Sequence, residues 1–336
     1  MAPDAFDYYA GGAEDEITLS DNETAWRRMR LRYRVLRDVS QVTTETTVLG
    51  SRVSAPVLVA PLAYQRLAHD DGEAATARGA AAAGSLMIVS TLATIALEDV
   101  AAAAPQAPRW FQLYVHKDRG WTAELVDRAV DAGYLALVLT VDLPVLGHRR
   151  RDERNDFSLP EGMDMANIGK AMPDVEGSGL ARYATEEIDP SITFEDIGWF
   201  ADRSGLPVVV KGIIRGDDAV AAIDAGAAAV IVSNHGGRQL DTAMATGEAL
   251  REVTDCVAGE GEVYVDGGVR RGTDIVKALA LGARVVLLGR PVLWGLATGG
   301  ADGVRAVLDH FRDETARTLA LCGAAAVADL APDLVC

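Results

Sequence analysis

A chain of 336 residues with a formal net charge of −17 can hold one large α/β domain or two ordinary ones. Its 49% hydrophobic and 24% charged residues are globular in balance, with material for a sizeable core. The acidic excess excludes an extended nucleic-acid surface, since phosphate binding needs a basic footprint, and any anionic ligand must be held by cations placed locally.

The opening MAPDAFDYYAGG has neither the basic start nor the apolar core of a signal peptide. No apolar run reaches membrane-spanning length, because Asp, Glu, Arg or Pro interrupts each Ala-rich stretch. Cys256, Cys322 and Cys336 are scattered, show no metal-ligand spacing and read as reduced thiols. A soluble cytoplasmic protein without membrane or nucleic-acid partners is expected.

Short apolar runs then recur: VLVAPLA (57–63), LMIVST (86–91), WFQLYV (110–115), LALVLTVD (135–142), PVVVKG (207–212), AVIVSNHGG (229–237), VYVDGGV (263–269) and VVLLGR (285–290). Most are continuous in hydrophobicity rather than alternating, as parallel strands buried on both faces should be. Helical patterns such as GEAATARGAAAAG, AELVDRAVDAG, DDAVAAIDAG and GTDIVKALALG lie between them and close on Gly. This alternation predicts an α/β chain folded as a (β/α)8 TIM barrel, a single domain over 1–336. An open doubly wound sheet would call for G-x-G-x-x-G after its first strand, which is absent. The even spacing fails once, between the fourth and fifth runs. The Gly-, Pro-, Met- and acid-rich sequence there predicts a long insertion at the active-site face, with 160–192 as a lid.

Barrel active sites gather at the C-terminal strand ends. In order these ends offer Ala60-Pro61, Ser90-Thr91, Gln112 and Tyr114, Thr140 and Asp142, Lys211, Asn234-His235, Asp266 with Gly267-Gly268, and Gly289-Arg290. Together they describe one pocket for a large polar ligand. DGGVRRG and LLGRP set glycines and arginines after the last two strands, where barrels build phosphate sites. Lys211 ends a wholly apolar strand and is costly to bury unless it faces an anion or a polar ring.

His235 is the candidate base; His69, His116, His148 and His310 stand at no strand end and read as surface or structural. A base needs an orienter, for which Asp142 is the natural candidate and Asp266 the competitor, better suited to a sugar hydroxyl. Arg238 has the fork to hold a carboxylate beside the base, and GHRRRDERN offers a second cation, with Arg149 the preferred member. No HExxH, DxDxDG or paired-Cys metal pattern appears, nor the G-x-S-x-G elbow of a hydrolase. A non-catalytic flavin- or phosphate-binding barrel needs no base, and a Schiff-base aldolase acting through Lys211 would be colourless.

The segments SNHGGRQLD, DGGVRRGTDIVKALALGA, GRPV, FQLYVHKDR, LTVDLPVLGHRRRDERN and DYYAGGAEDEITL, in order over nearly the whole chain, strongly resemble the FMN-dependent α-hydroxy-acid oxidases and dehydrogenases. The resemblance implies FMN as cofactor and oxidation of an (S)-2-hydroxy acid to the 2-keto acid, read as hydride transfer, with O2 reduced to H2O2. His235 is then the base, Asp142 its partner, and Arg238 and Arg149 the carboxylate clamp, while Tyr8 and Tyr114 hydrogen-bond the substrate. Lys211 stands beside the flavin N1 and C2 carbonyl. Ser90, Gln112, Thr140 and the backbone of Pro61 to Ala63 contact the ring, and Asp266, Gly268, Arg270, Gly289 and Arg290 match ribityl and phosphate positions. An assembly of four subunits or more is also implied. The family carries a further short helical segment before DAFDYYAGGAED, so a chain trimmed at its start is expected.

Two pocket positions depart from the glycolate-oxidising members. Leu92 stands where they carry Trp, and Tyr64 replaces a smaller residue in PLAYQRLAH, a motif similar to that of hydroxymandelate oxidases. Removing an indole opens space and a tyrosine offers an aromatic wall, which points to mandelate or 4-hydroxymandelate. Lactate or a longer aliphatic acid, an acceptor-linked dehydrogenase and a monooxygenase are the alternatives.

Overall fold

Each apolar run forms a strand: β1 (Val57–Val59), β2 (Met87–Ser90), β3 (Arg109–Leu113), β4 (Leu137–Thr140), β5 (Val208–Ile213), β6 (Ala229–Val232), β7 (Glu262–Val265) and β8 (Val285–Leu288). All neighbours pair in parallel and β8 closes onto β1, giving the predicted eight-stranded barrel. This computed structural model describes residues 1–168 and 179–336, so the middle of the predicted lid, 169–178, lies outside the described residues.

The strand period explains where the polar ends go. Leu58, Ile88, Trp110, Val138, Val209, Ile231, Tyr264 and Leu287 are buried in one inner cluster. Their sequence neighbours, such as Val57, Val89, Phe111 and Val210, pack outward in the larger core shared with the helices. Two residues further up each strand direction, the same inward period meets Ala60, Ser90, Gln112, Thr140, Lys211, Ser233, Asp266 and Gly289. An apolar plug therefore changes into a mostly polar layer within one step of the pleat.

Helices Gly72–Ala82, Leu97–Ala103, Arg119–Asp131, Glu195–Ser204, Gly216–Asp224, Thr246–Val257 and Gly272–Ala280 follow the first seven strands. The segment Arg290–Cys322 follows β8 and is two helices joined at a kink, where Gly299 and Gly300 leave helical geometry. Because Glu195–Ser204 restores the repeat after β4, the insertion ends just before it. A hairpin of Thr46–Val48 and Ser51–Val53, absent from the sequence reading, sends Val48 and Val53 into the inner cluster and closes the N-terminal end of the barrel.

Two helices precede the barrel and reach its mouth. In α1 (Pro3–Ala10) Pro3 and Asp4 suit the first turn, and in α2 (Ile17–Arg28) Arg27 and Arg28 suit the last. One face of α2 buries Asn22, Ala25 and Trp26, and Trp26 Nε1 donates to Gly267 O at 2.8 Å. Ala13 N, between the helices, donates to Gly237 O at 2.8 Å. No helix among the described residues is long and apolar enough to cross a membrane.

Candidate active site

The cavity at the mouth is lined from all eight strand ends, that of β6 through His235 and Gly236. Past β6 the chain runs through three left-handed residues, His235 (φ 58°), Gly236 (φ 66°) and Gly237 (φ 75°). For a histidine that conformation costs on the order of 1–3 kcal/mol and persists only where surrounding bonds over-determine it. His235 N donates to Ser233 Oγ at 3.1 Å, and Gly237 N donates to both the carbonyl and the side-chain oxygen of Asn234. Asn234 in turn exchanges amide hydrogen bonds with Asn22 of α2, at 2.9 and 2.8 Å.

So held, the imidazole meets Asp142 with Nδ1 to Oδ1 at 2.8 Å. Asp142 can come this close because residue 212 is glycine: its φ is +115°, the register shifts there, and a Cβ would lie 2.6 Å from Asp142 Cβ. Burial opposes charge on both partners. It pushes His235 below the ordinary histidine value in spite of the carboxylate. Burial also works to raise Asp142, but the imidazole and Lys211 outweigh it and hold the carboxyl below its usual range. An ionised carboxylate only accepts, so Nδ1 carries the hydrogen and Nε2 presents a free lone pair, the arrangement of a base for an O–H group.

Lys211 Nζ donates to Ser233 Oγ at 2.8 Å and lies 3.2 Å from Asp266 Oδ2. Burial would lower it, yet Asp266 and Asp142 keep it above its ordinary value, so it is charged. Gln112 Nε2, Thr140 Oγ1 and Asp266 Oδ1 are buried without a partner. Buried polar atoms are rarely left unpaired, and all three residues line this cavity, so the floor is built to hydrogen-bond a polar ligand.

The walls carry cations. Among the described residues none of Arg149, Arg238 and Arg290 has a carboxylate partner within salt-bridge reach. Burial and then Arg238 push Arg149 down to about 10. Burial, followed by Arg238, Arg270 and Arg149, pushes Arg290 down to about 9. Such a cluster calls for an anion. Arg238 donates to the carbonyls of Tyr8 and Gly11, with its guanidinium 4.8 Å from the Tyr8 ring centre. Arg290 lines the cavity but spends its nitrogens on the carbonyls of Tyr9, Gly11 and Gly236, and Arg270 lies 3.2 Å from Glu23. Both expected phosphate arginines thus also staple α1 and α2 to the mouth.

Tyr8, Tyr114 and Leu92 line the cavity beside Leu143 and Leu146. Burial raises Tyr114 far above the ordinary tyrosine value, so its hydroxyl stays protonated. Tyr8 stacks on Phe157, centroids 4.4 Å apart. Tyr64 departs from expectation: its left-handed backbone (φ 57°) turns the ring behind the wall. There its hydroxyl reaches Met165 Sδ at 3.5 Å and its carbonyl accepts from Tyr9 Oη at 2.6 Å. Tyr64 backs Tyr8, centroids 5.7 Å apart, instead of forming the surface.

The model of the FMN-dependent dehydrogenase family matches residues 1–336. The chain belongs to that family. It is 52% identical over 334 residues to the L-lactate oxidase of Nostoc sp., covering 97% of this chain and 92% of that protein. It is 48% identical over 325 residues to 2-hydroxyacid oxidase 1 of Homo sapiens, covering 95% and 88%. The structure of a mandelate oxidase with (S)-4-hydroxymandelic acid superposes with a TM-score of 0.94 at 43% identity, over 99% of this chain and 94% of that one. This chain is accordingly an FMN-dependent α-hydroxy-acid oxidase by family.

FMN suits what the site offers. The unpaired amide of Gln112, hydroxyl of Thr140 and carboxylate oxygen of Asp266 match the polar ring edge and ribityl hydroxyls, Lys211 is a fixed positive charge, and the arginines suit a phosphate. Gly268 lines the cavity, but its lack of a side chain is also required by α2, since a Cβ would lie 2.1 Å from Asn22 O. The sequence reading missed Tyr9, Ser233, Leu143 and Leu146 around the cavity, and Asn22 and Gly212 behind it. Leu143 and Leu146 were within reach, as the apolar residues of DLPVLG that follow a polar strand end. Nothing local marks Asn22, whose partner lies 212 positions away.

Proposed function

We propose that this oxidase acts on an (S)-2-hydroxy acid bearing an aryl group, mandelate or 4-hydroxymandelate, and forms the 2-keto acid and H2O2. The observation that carries the reading is the wall of Leu92, Leu143 and Leu146 facing a cation-lined cavity. A ring gains on the order of 25 cal/mol per Å2 of apolar surface buried there, which a methyl group has too little area to match. The likeness to mandelate oxidase structures supports it.

In this reading Arg238 and Arg149 take the substrate carboxylate, and Tyr8 and Tyr114 hydrogen-bond its polar groups. His235 Nε2 accepts the hydroxyl proton, with Asp142 fixing the tautomer and stabilising the imidazolium that results. Holding the carboxylate at two points orients the C2–H bond before reaction. When bound, FMN supplies the two-electron acceptor that dioxygen then reoxidises. Lys211 keeps a positive charge at the floor, where negative charge develops. Ser90, Gln112, Thr140, the backbone at Pro61 to Ala63, Asp266, Gly268, Gly289, Arg270 and Arg290 hold the cofactor.

A second reading, oxidation of lactate, is favoured by the 52% identity to the L-lactate oxidase of Nostoc sp.. Adding (S)-mandelate and, separately, (S)-lactate to the yellow protein without air decides between them. Rapid bleaching by mandelate alone, reversed by air, supports the aryl reading; bleaching by lactate alone overturns it.

A further inference from the structure

The first limb of the insertion returns from β4 to the turn after β2. Ala166 N donates to Ala93 O at 2.9 Å. The side chain of Asn167, 1% exposed, uses its amide on that turn: Nδ2 donates to Ser90 O at 3.2 Å and Thr91 O at 3.3 Å. Its Oδ1 accepts from Leu97 N at 2.8 Å, capping the helix Leu97–Ala103. From the other side Asn167 O accepts from Arg128, which pairs with Glu98 through two nitrogens at 2.7 and 3.0 Å.

The turn it grips faces the cavity twice. Ser90 Oγ donates to Gln112 Oε1 at 3.0 Å and accepts from Leu92 N at 3.1 Å, while Leu92 O accepts from Tyr64 N at 3.1 Å. Gln112 belongs to the cofactor floor and Leu92 to the substrate wall, but Leu92 stands on the free arm of the turn, past the strand. We infer that Asn167 is a positioning residue for substrate selection: it couples the insertion to the Ser90–Leu92 turn and fixes the depth at which Leu92 stands in the pocket. This rests on the family's oxidation of 2-hydroxy acids and, for Leu92, on the pocket reading above.

Asn167→Asp keeps the acceptor for Leu97 N, removes both donors and sets a carboxylate against two carbonyls. Asn167→Ser, which shortens the reach, is the companion should the first fail to fold. On the protein carrying FMN, the ratio of kcat/KM between a phenyl- and a methyl-substituted (S)-2-hydroxy acid is expected to move by about fivefold or more, mainly through KM. The pH profile and the affinity of the apoprotein for FMN, read by fluorescence titration, stay as in the wild type. In a Leu92→Ala background the same substitution leaves the ratio unchanged, because the residue it acts through is gone. An unmoved ratio in the folded variants, equal loss on both substrates, or an undiminished effect without Leu92 each overturns the inference. If the wild type itself prefers the methyl acid, only the aryl reading fails, because the ratio remains a valid measure of Asn167.

Discussion

The floor of the cavity is made of residues that a barrel strand cannot avoid presenting, whereas its walls come from segments that need distant partners to stay in place. Ser90, Gln112, Thr140, Lys211 and Asp266 stand on or one residue beyond strands, two positions above apolar residues of the inner cluster. Tyr8, Leu92, Leu146, Arg149 and Arg238 lie on α1 or loops, tied by bonds such as Arg238 to Tyr8 O and Tyr9 to Tyr64 O. In the proposed reading, most cofactor contacts at the floor thus rest on the rigid part and substrate choice on the adjustable part. His235 belongs to both, since it stands on a loop but is pinned to the floor through Ser233 and Asp142. If that division holds, floor variants slow every substrate alike, variants at the charged end of the wall weaken binding of every 2-hydroxy acid, and variants at its apolar end change which substrate is used.

The largest effect is expected from His235→Ala, with a loss on the order of 10^3-fold in the anaerobic bleaching rate for all 2-hydroxy acids, the range of a general base. FMN should remain bound, because the floor is untouched; bleaching at the wild-type rate would remove the base assignment. The pH dependence follows from the same pair. Burial holds His235 below the ordinary histidine value, so it is neutral at pH 7 and kcat/KM falls only as pH drops below that range. Asp142→Asn removes the charge that raises His235, so the acid limb should move to still lower pH while the plateau drops. A limb moving upward contradicts the pairing.

Next comes Gly212→Ala. A methyl group there strikes Asp142 from 2.6 Å in a left-handed backbone, and a displaced orienter misplaces the imidazole. About a hundredfold loss in kcat, equal for large and small substrates, is expected for a shift of that kind. A loss confined to one substrate would break the division between floor and wall.

The floor was legible from the residues alone and the walls only in part: Arg238 and Arg149 stood out in their motifs and Tyr8, Tyr114 and Leu92 through the family resemblance, while Tyr9, Leu143 and Leu146 were missed. The reason is the period of the strand. Residues Lys211 and Asp266 each follow an apolar inward residue by two, so a run of hydrophobic letters ending in a charge announces its position. The barrel was legible likewise, as was the excess length before β5. The N-terminal hairpin was not, because its three-residue strands bury only Val48 and Val53 and carry no run. Tyr64 was misjudged for a related reason: its place in the chain is beside the mouth, but a left-handed backbone reverses the side chain, and no residue of AYQRL signals that φ. Asn22 and Asn167 act through amides whose partners are far away in sequence, where no local pattern exists.

Arg238→Lys tests the wall at its charged end. Lysine keeps the charge but loses the fork and the guanidinium contact over the Tyr8 ring. KM is expected to rise on the order of tenfold or more for every 2-hydroxy acid, with kcat falling less. Unchanged KM would remove Arg238 from the clamp.

Leu92→Trp is the smallest expected change and the sharpest test of the wall. The Leu92 backbone bonds, N to Ser90 Oγ and O to Tyr64 N, do not involve its side chain, so the turn should survive. The indole instead fills the space beside Leu143 and Leu146. A phenyl-bearing substrate then loses about tenfold in kcat/KM through steric crowding, while a methyl-bearing one keeps its value or gains by contact with the indole. Bleaching at saturating small substrate should match the wild type, because His235, Asp142 and Lys211 are unmoved. Parallel losses on both substrates would mean that Leu92 supports the floor after all, and that floor and wall are one unit at this turn.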